Sequence, residues 1–222
     1  TKYGGDGSVD YLGPVGVVGQ SGYYVPRYMI EGDAERNIKA TTPDLKSWED
    51  LNKHKAVFAT LETGDKGRLI ACPVAAWQCK DAERIAGLKL DFHPVELGSE
   101  TAHWTEMQTA YKRGEPFIAY AWEPHWIHAA LDLVEVKLPD HSEEAWPVSD
   151  WPQDITYNYG SVKLMKEHPR VAKLITNMNL TNEEQAKIIL EIDVNKKKTD
   201  DVVRAWMKEN EAIWKKWIPS DS

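Results

Sequence analysis

Short apolar runs bounded by proline and glycine alternate along this chain with segments of helical periodicity. Residues 117–121 form a continuous apolar run of strand length between Pro116 and Pro124. Residues 101–113 show a helical pattern that Gly114 ends, and residues 155–162 show a strand pattern. Strands that alternate with helices predict an α/β fold, in which ligands bind at the carboxyl ends of the strands.

The local signals divide the rest of the chain into further elements. Residues 11–18 predict a strand that is broken by glycine and proline, and Ser47 with Asp50 forms a capping box for a short helix over residues 47–53. Apolar spacing at Val171, Leu174 and Ile175, and a second capping box at Thr181, indicate that the last third of the chain is helical. Further predictions are a strand over 56–61, a helix over 79–88 and a helix opened by Pro124.

Composition excludes several classes of protein. The 222 residues are enough for a substantial core, and 27 basic against 35 acidic residues give a net charge of −8. Because basic residues do not form a stripe with aromatic ones, we expect no nucleic acid partner and no anionic membrane surface. No apolar run reaches the ~18 residues that a membrane-spanning helix needs.

The aromatic residues are biased toward rings with polar edges, with ten Trp and nine Tyr against three Phe. Trp122 follows the predicted strand 117–121 at its carboxyl end. Trp77 lies on a loop that runs into the predicted helix 79–88, near whose start the N–H groups of Gln78 and Cys79 could bind an anion. Two ring faces for a cation and N–H groups for an anion predict a small zwitterion, such as a quaternary ammonium compound.

Four segments in this order resemble the substrate-binding proteins of glycine betaine/proline betaine ABC transporters. The segments are 22–28 (GYYVPRY), 77–79 (WQC), 122–126 (WEPHW) and the helical ending from His168-Pro169 to Trp217. The resemblance spans nearly the whole chain, and its most specific part is the pair of tryptophan segments.

The resemblance implies a periplasmic-binding-protein-like (type II) α/β fold, a two-lobed Venus flytrap that closes on a methylated cation in a box of aromatic rings. It assigns residues 1–20 to a remnant of lobe one and the crossover, 21–160 to lobe two, and 161–222 to the helical return to lobe one. Trp77 and Trp122 would be walls of the box, the N–H groups of Gln78 and Cys79 would hold the ligand carboxylate, and Tyr23 or Tyr24 could supply a further wall.

The family also implies a role without catalysis or cofactor. The protein would lie in the periplasm or another extracytoplasmic space and deliver its ligand to the membrane permease of an ABC transporter. Glycine betaine or a related betaine is the ligand we expect, with choline, carnitine and trimethylamine N-oxide as alternatives. Family members carry a further stretch of lobe one that this sequence lacks, so we expect lobe one to be incomplete and ligand binding by these 222 residues to be weakened.

Two other functional classes have weaker support. A hydrolase would need a nucleophile, but Ser8, Ser21 and Ser99 lie in no G-x-S-x-G motif. A carbohydrate-binding module could use the exposed rings, although such modules are usually built of strands and this chain ends in helices. His125 and His128 lack the spacing and the glutamate of a zinc motif, so we expect no metal there.

Similar proteins of the family bridge a cysteine pair around the tryptophan loop, which implies a disulfide between Cys72 and Cys79. We predict that protein isolated without reductant shows no free thiol when titrated under denaturing conditions, because the implied compartment is oxidising. Two free thiols per chain would contradict both the bridge and the extracytoplasmic location.

Overall fold

The computed structural model describes residues 6–73 and 78–220. Its strands are β1 (Val9–Pro26), β2 (Gly67–Ile70), β3 (Phe92–Val95), β4 (Ile118–Glu123), β5 (Leu133–Val136) and β6 (Asp154–Ser161). Its α-helices are α1 (Arg27–Glu31), α2 (Trp48–Phe58), α3 (Asp81–Gly87), α4 (Glu100–Arg113), α5 (Ile127–Ala130), α6 (Val162–Glu167), α7 (Pro169–Asn177), α8 (Asn182–Ile189), α9 (Thr199–Glu209) and α10 (Glu211–Trp214). A π-helical turn, Leu190–Val194, continues α8, and a 3-10 turn, Lys215–Trp217, continues α10.

The chain divides into two compact units. Unit 1 contains the residues up to Gly19, the short segment Glu123–Ala129 and the residues from Gln153 onward. Unit 2 contains Gln20–Trp122 and Ala130–Pro152. The sequence-based division placed its boundaries at residues 20/21 and 160/161, so the second boundary of the compact units comes earlier along the chain.

Unit 2 is an α/β layer structure, as the sequence predicted. Its strands lie in the order β3-β2-β4-β1-β5, in which β2 is parallel to both β3 and β4, and the second half of β1 is antiparallel to β5. The core of this unit packs on the sheet and includes Val25, Leu51, Leu69 and Ile118, each at most 2% exposed. Parallel strands that are buried in this way read as the continuous apolar runs seen in the sequence.

Helix α4 illustrates how local sequence sets an element of unit 2. The Ser99 side chain accepts a hydrogen bond from the Ala102 N–H at 3.1 Å, which caps the first turn. Gly114 ends the helix in the left-handed conformation, with φ of 70°. The buried residues of the helix include Trp104 and Met107, which are three positions apart and therefore face the sheet together.

Unit 1 combines a two-stranded ribbon with the C-terminal helices. The first half of β1 is antiparallel to β6, with register shifts between Tyr11 and Gly13 and between Pro14 and Val18. Gly13 and Gly16 have φ of 105° and 96°, which residues with a side chain rarely adopt, so these glycines allow the strand to continue through the irregular region. The strand predicted over 11–18 is therefore part of a much longer one.

The two units differ in how much apolar surface they expose. Of the large apolar side chains that are exposed among the described residues, only Leu61 belongs to unit 2. The others lie in unit 1 and are Tyr11, Ile155, Tyr157, Tyr159, Val162, Val171, Val194, Val203, Met207 and Ile218. Two neighbouring strands with exposed aromatic residues on them form an unusual surface for a stable isolated unit.

Two local predictions were wrong, and each has a physical reason. The strand predicted over 56–61 begins inside α2, because Leu51 and Phe58 lie on one face of the helix and both are buried. The helix predicted over 79–88 is confirmed as α3, although it begins only at Asp81, because Lys80 has a left-handed backbone with φ of 58°.

The second wrong prediction concerns Pro124, which does not open a helix. The Glu123–Pro124 peptide bond is cis, and α5 begins at Ile127. The Ile127 N–H donates to Nδ1 of His125 at 3.2 Å, so a histidine supplies the hydrogen bond at this helix start.

No helix among the described residues is long and apolar enough to cross a membrane.

The end of α4 provides a test of the fold. A Cβ at position 114 would lie 2.8 Å from Cδ1 of Ile38 at a positive φ, whereas one at Gly64, also at positive φ, would meet no atom within 4 Å. We expect Gly64→Ala to lower the free energy of unfolding by about 1 kcal/mol through backbone strain alone. Gly114→Ala should cost a further ~1–3 kcal/mol because the methyl group must displace Ile38. Urea denaturation measures both values, and equal losses would show that the contact with Ile38 is unimportant.

Candidate functional site

The carboxyl ends of β2 and β4 lie next to one another in unit 2. The two strands are parallel, and Leu69 pairs with Ile118 and Ile70 with Ala119. The segment from Cys72 to Cys79 follows β2, and Trp122 lies at the end of β4. Two of the predicted site segments therefore leave the sheet at the same edge, which is the edge where open α/β sheets bind ligands.

A continuous row of aromatic rings lies at this edge. The ring centroids of Trp104 and Trp122 are 5.0 Å apart, those of Trp122 and Tyr120 are 5.9 Å apart, and those of Tyr120 and Trp151 are 5.5 Å apart. Trp151 in turn contacts Tyr23 at 5.4 Å. We call these five residues the aromatic row.

Members of the aromatic row differ in exposure. Trp104, Tyr120 and Tyr23 are 5%, 6% and 1% exposed, so they act as packing partners. Trp122 and Trp151 are only partly buried. Trp122 can therefore offer ring surface to a ligand while Trp104 and Tyr120 fix its orientation.

The ring of Trp151 packs against a cation of the protein itself, the guanidinium of Arg84. The guanidinium carbon of Arg84 lies 3.5 Å from the centroid of the Trp151 ring, and it also lies 5.0 Å from that of Trp146 and 5.8 Å from that of Tyr23. Arg84 is fully buried and forms an ion pair with Asp81 at 3.8 Å. The row thus holds one internal cation by cation–π contacts at Trp151, while the partly buried Trp122 lies between Trp104 and Tyr120.

Two polar groups fix the rings of the row. The Ser21 and Tyr120 hydroxyl oxygens lie 3.1 Å apart, within hydrogen-bonding distance. Nε2 of His103 lies 2.8 Å from the Tyr120 carbonyl oxygen, and because a carbonyl only accepts, this nitrogen carries a proton. Burial of His103 lowers its pKa, although the carbonyls of Tyr120 and Ala71 act in the opposite direction.

The hydroxyl of Tyr23 donates a short hydrogen bond to Asp81. Burial, followed by the charge of Asp81, raises the pKa of Tyr23 well above its ordinary value. The hydroxyl therefore keeps its proton and its role as a donor at every physiological pH.

The other residues predicted for the site occupy different environments. Trp77 lies outside the described residues. Gln78 is exposed and has φ of 53°, and Cys79 is buried; both precede the first residue of α3. Tyr23 and Tyr24 are 1% and 3% exposed, so neither offers ring surface here, and their role as ligand walls stays a prediction.

Cys72 and Cys79 are joined by a disulfide in the structure, with Cα atoms 6.0 Å apart. Both cysteines are buried. Whether the bond forms in the isolated protein is the question that thiol titration answers.

Sequence reasoning missed Trp104, Tyr120, Trp151 and the Asp81–Arg84 pair. Tyr120 could have been found, because residues two apart on a strand share a face and Trp122 was already a candidate. Trp151 and Arg84 had no such signal, since one lies in an irregular proline-rich segment and the other on a short helix.

Nearly the whole chain, residues 1–209, matches the family model described as the substrate binding domain of the ABC-type glycine betaine transport system. The chain belongs to this family. The predicted family is thereby confirmed, and with it the fold class.

Curated and solved relatives agree with this assignment. The trimethylamine N-oxide-binding protein of Pelagibacter ubique is 24% identical over 186 residues, which cover 79% of this chain and 59% of that protein. The chain thus spans less than two thirds of the length of this relative.

Among solved structures, lactococcal OpuAC in complex with glycine betaine has a TM-score of 0.53 and 21% identity, covering 98% of this chain and 73% of OpuAC. A glycine betaine/carnitine/choline ABC transporter structure has a TM-score of 0.58 and 14% identity, covering 93% and 65% of the two chains. At these identities the likeness establishes the fold.

The buried His103 provides a pH test of the site. Because the pKa of His103 is lowered in the folded chain, the unfolded chain takes up a proton near pH 6.5 while the folded chain does not. The contribution of neutral His103 to the free energy of unfolding is therefore complete above pH 6.5. It is lost as the pH falls below that value, with a slope of at most about 1.4 kcal/mol per pH unit.

We expect His103→Gln, whose amide can still donate to the Tyr120 carbonyl, to remove this component. Urea denaturation between about pH 7.5 and pH 5 measures it. Parallel stability curves for the two proteins would contradict a neutral buried His103.

Proposed function

We propose that the protein is a binding protein of an ABC transporter that takes up a small methylated cation or zwitterion of the glycine betaine class. The observation that carries this proposal is the partly buried ring of Trp122, which stands at the carboxyl end of β4 between the rings of Trp104 and Tyr120. Membership of the glycine betaine family supports it.

The chemistry of the row suits a methylated nitrogen. Such a cation has no N–H group, so it cannot be satisfied by hydrogen-bond acceptors, and aromatic faces are the groups that bind it best. The internal example is Arg84 over Trp151, where the same ring chemistry stabilises a fully buried charge. We propose that Trp122 and Trp77 are the walls that receive the external cation.

The anionic end of the ligand would bind at the other segment of the same edge. We propose that the N–H groups of Gln78 and Cys79 hold a carboxylate. Gln78 is exposed and therefore accessible to a ligand, and Cys79 is held in place by its disulfide. This arrangement favours a betaine, whose carboxylate can accept from backbone N–H groups, over choline, whose polar end is a hydroxyl.

Relatives bind several ligands of this class. The proteins named above carry glycine betaine, glycine betaine/carnitine/choline and trimethylamine N-oxide in their descriptions. We propose glycine betaine or a close betaine for this chain, with choline, carnitine and trimethylamine N-oxide as the ligands to compare.

We further propose an extracytoplasmic location and delivery to a membrane permease, without catalysis. The disulfide between Cys72 and Cys79 supports the location, because such bonds persist in oxidising compartments.

Calorimetric titration tests the class of ligand. Glycine betaine, choline, trimethylamine N-oxide and a disaccharide form the panel. We expect heat from glycine betaine and none from the disaccharide. Binding of the disaccharide with no binding of any methylated amine would overturn the proposal.

Trp122→Ala tests the proposed wall. We expect it to weaken glycine betaine binding by up to about 30-fold through the loss of about 0.5–2 kcal/mol of cation–π energy, and further through the loss of ring contact. Trp48→Ala, which removes a partly buried tryptophan of α2 in the same unit, is the matched control and should leave affinity unchanged. Circular dichroism verifies that both variants are folded, and unchanged affinity in folded Trp122→Ala would refute the assignment.

A further inference from the structure

Two charged residues on α3 contact both ends of the Cys72–Cys79 segment from inside the protein. Asp81 is 7% exposed and Arg84 is completely buried. They are three positions apart, so they lie on the same face of the helix.

Asp81 binds the first end of the segment. Its Oδ2 accepts a hydrogen bond from the Cys72 N–H at 2.9 Å, and its Oδ1 accepts from the Tyr23 hydroxyl. Both donors are buried, so the carboxylate is held in one orientation by β1 and by a residue that follows β2.

Arg84 binds the second end. Its Nη1 donates to the Cys79 carbonyl at 3.1 Å, while its Nε and Nη2 each lie 3.4 Å from the Ser149 carbonyl. The Trp146 and Trp151 rings pack against the same guanidinium. Arg84 therefore connects the Cys79 end of the segment to the part of unit 2 that carries Trp151 of the aromatic row.

We propose that Asp81 and Arg84 are positioning residues of the ligand site, which fix the backbone of Cys72 and Cys79 and align the aromatic row beside it. The inference rests on the proposed function for its ligand, whereas Asp81 and Arg84 themselves would touch no ligand. The Cys79 carbonyl held by Arg84 lies in the peptide group that joins Cys79 to Lys80. Fixing this group limits the Cys79 N–H, one of the donors proposed for the carboxylate, because only the two backbone dihedrals of Cys79 separate them.

A purely space-filling role would be served by apolar residues. A buried ion pair costs desolvation energy, and well-packed apolar replacements are often as stable. What the charged pair supplies in addition is direction, because its hydrogen bonds to Cys72, Cys79 and Ser149 each specify the position of one backbone group. Loss of the pair should therefore loosen the segment more than it destabilises the unit.

Substitutions of Asp81 and Arg84 can separate a loss of positioning from a loss of stability of unit 2. Asp81→Ala removes the acceptor of the Cys72 N–H but leaves the Arg84 charge unpaired, which threatens the fold. The double variant Asp81→Asn/Arg84→Met avoids that problem, since it contains no unpaired charge, keeps an acceptor for Cys72 and loses the contacts to Cys79 and Ser149. Arg113→Met, which removes an exposed arginine at the end of α4, is the matched control.

The first readout needs no ligand. Hydrogen exchange of individual backbone amides, followed by NMR, should be about tenfold faster at Cys72 in the double variant, because the charged acceptor of its N–H is replaced by a weaker neutral one. Exchange in the core of β2 and β4 should be unchanged, and Arg113→Met should resemble the wild type. Unchanged exchange at Cys72 in the double variant would overturn the proposal.

The second readout uses two probes, glycine betaine and tetramethylammonium. The double variant should bind glycine betaine about tenfold more weakly and tetramethylammonium with nearly unchanged affinity, because only the former uses the N–H groups. Trp122→Ala should weaken both. Equal losses for the two probes in the double variant would show general damage to the site and overturn the positioning role. If the wild type binds neither probe, the proposed function fails, and amide exchange alone decides whether the pair fixes the segment.

Discussion

The buried guanidinium of Arg84 is the constraint around which unit 2 is arranged. A charge that is completely buried requires a counter-ion, hydrogen-bond acceptors and polarisable neighbours. Asp81, two backbone carbonyls and the rings of Trp146 and Trp151 meet these needs. Because those partners come from distant parts of the chain, satisfying one charge brings together the cysteine segment and the aromatic row.

The pairing of strands in the sheet determines where the cysteine segment and Trp122 leave it. Parallel pairing of β2 with β4 places the residues that follow the two strands side by side, so that a backbone segment with N–H groups and a tryptophan ring share one edge. The chemistry of a zwitterion requires both kinds of group within a few ångströms. The zwitterion that we propose would use both groups, and the parallel pairing of β2 with β4 is what gives them a common edge.

Unit 1 is organised by different interactions. Its ribbon of β1 and β6 exposes Tyr11, Tyr157 and Tyr159, whose rings contact one another at 5.5 Å and 6.0 Å. Asn182, the first residue of α8, connects the ribbon to Glu123 at the end of β4. Its side-chain N–H groups donate to the Val18 carbonyl and to the Glu123 carboxylate, and its side-chain oxygen accepts from the Val18 N–H. Few large side chains of this unit are fully buried, so specific polar contacts carry much of its organisation.

Elements governed by local chemistry could be read from the sequence. The capping boxes of α2 and α8, the glycine that ends α4 and the apolar run of β4 are decided by neighbours along the chain, and the sequence alone predicted them together with the position of Trp122. Elements governed by distant partners could not be read in this way. Lys80 delays the start of α3, Phe58 extends α2 into the core, and Arg84 meets Trp151 only in the folded unit, because burial and charge pairing depend on residues far apart in sequence. The sequence by itself determined the family and proposed one ring of the candidate site; the tertiary structure decided which rings lie beside that ring and which buried cation they contact, because those contacts join residues far apart in sequence.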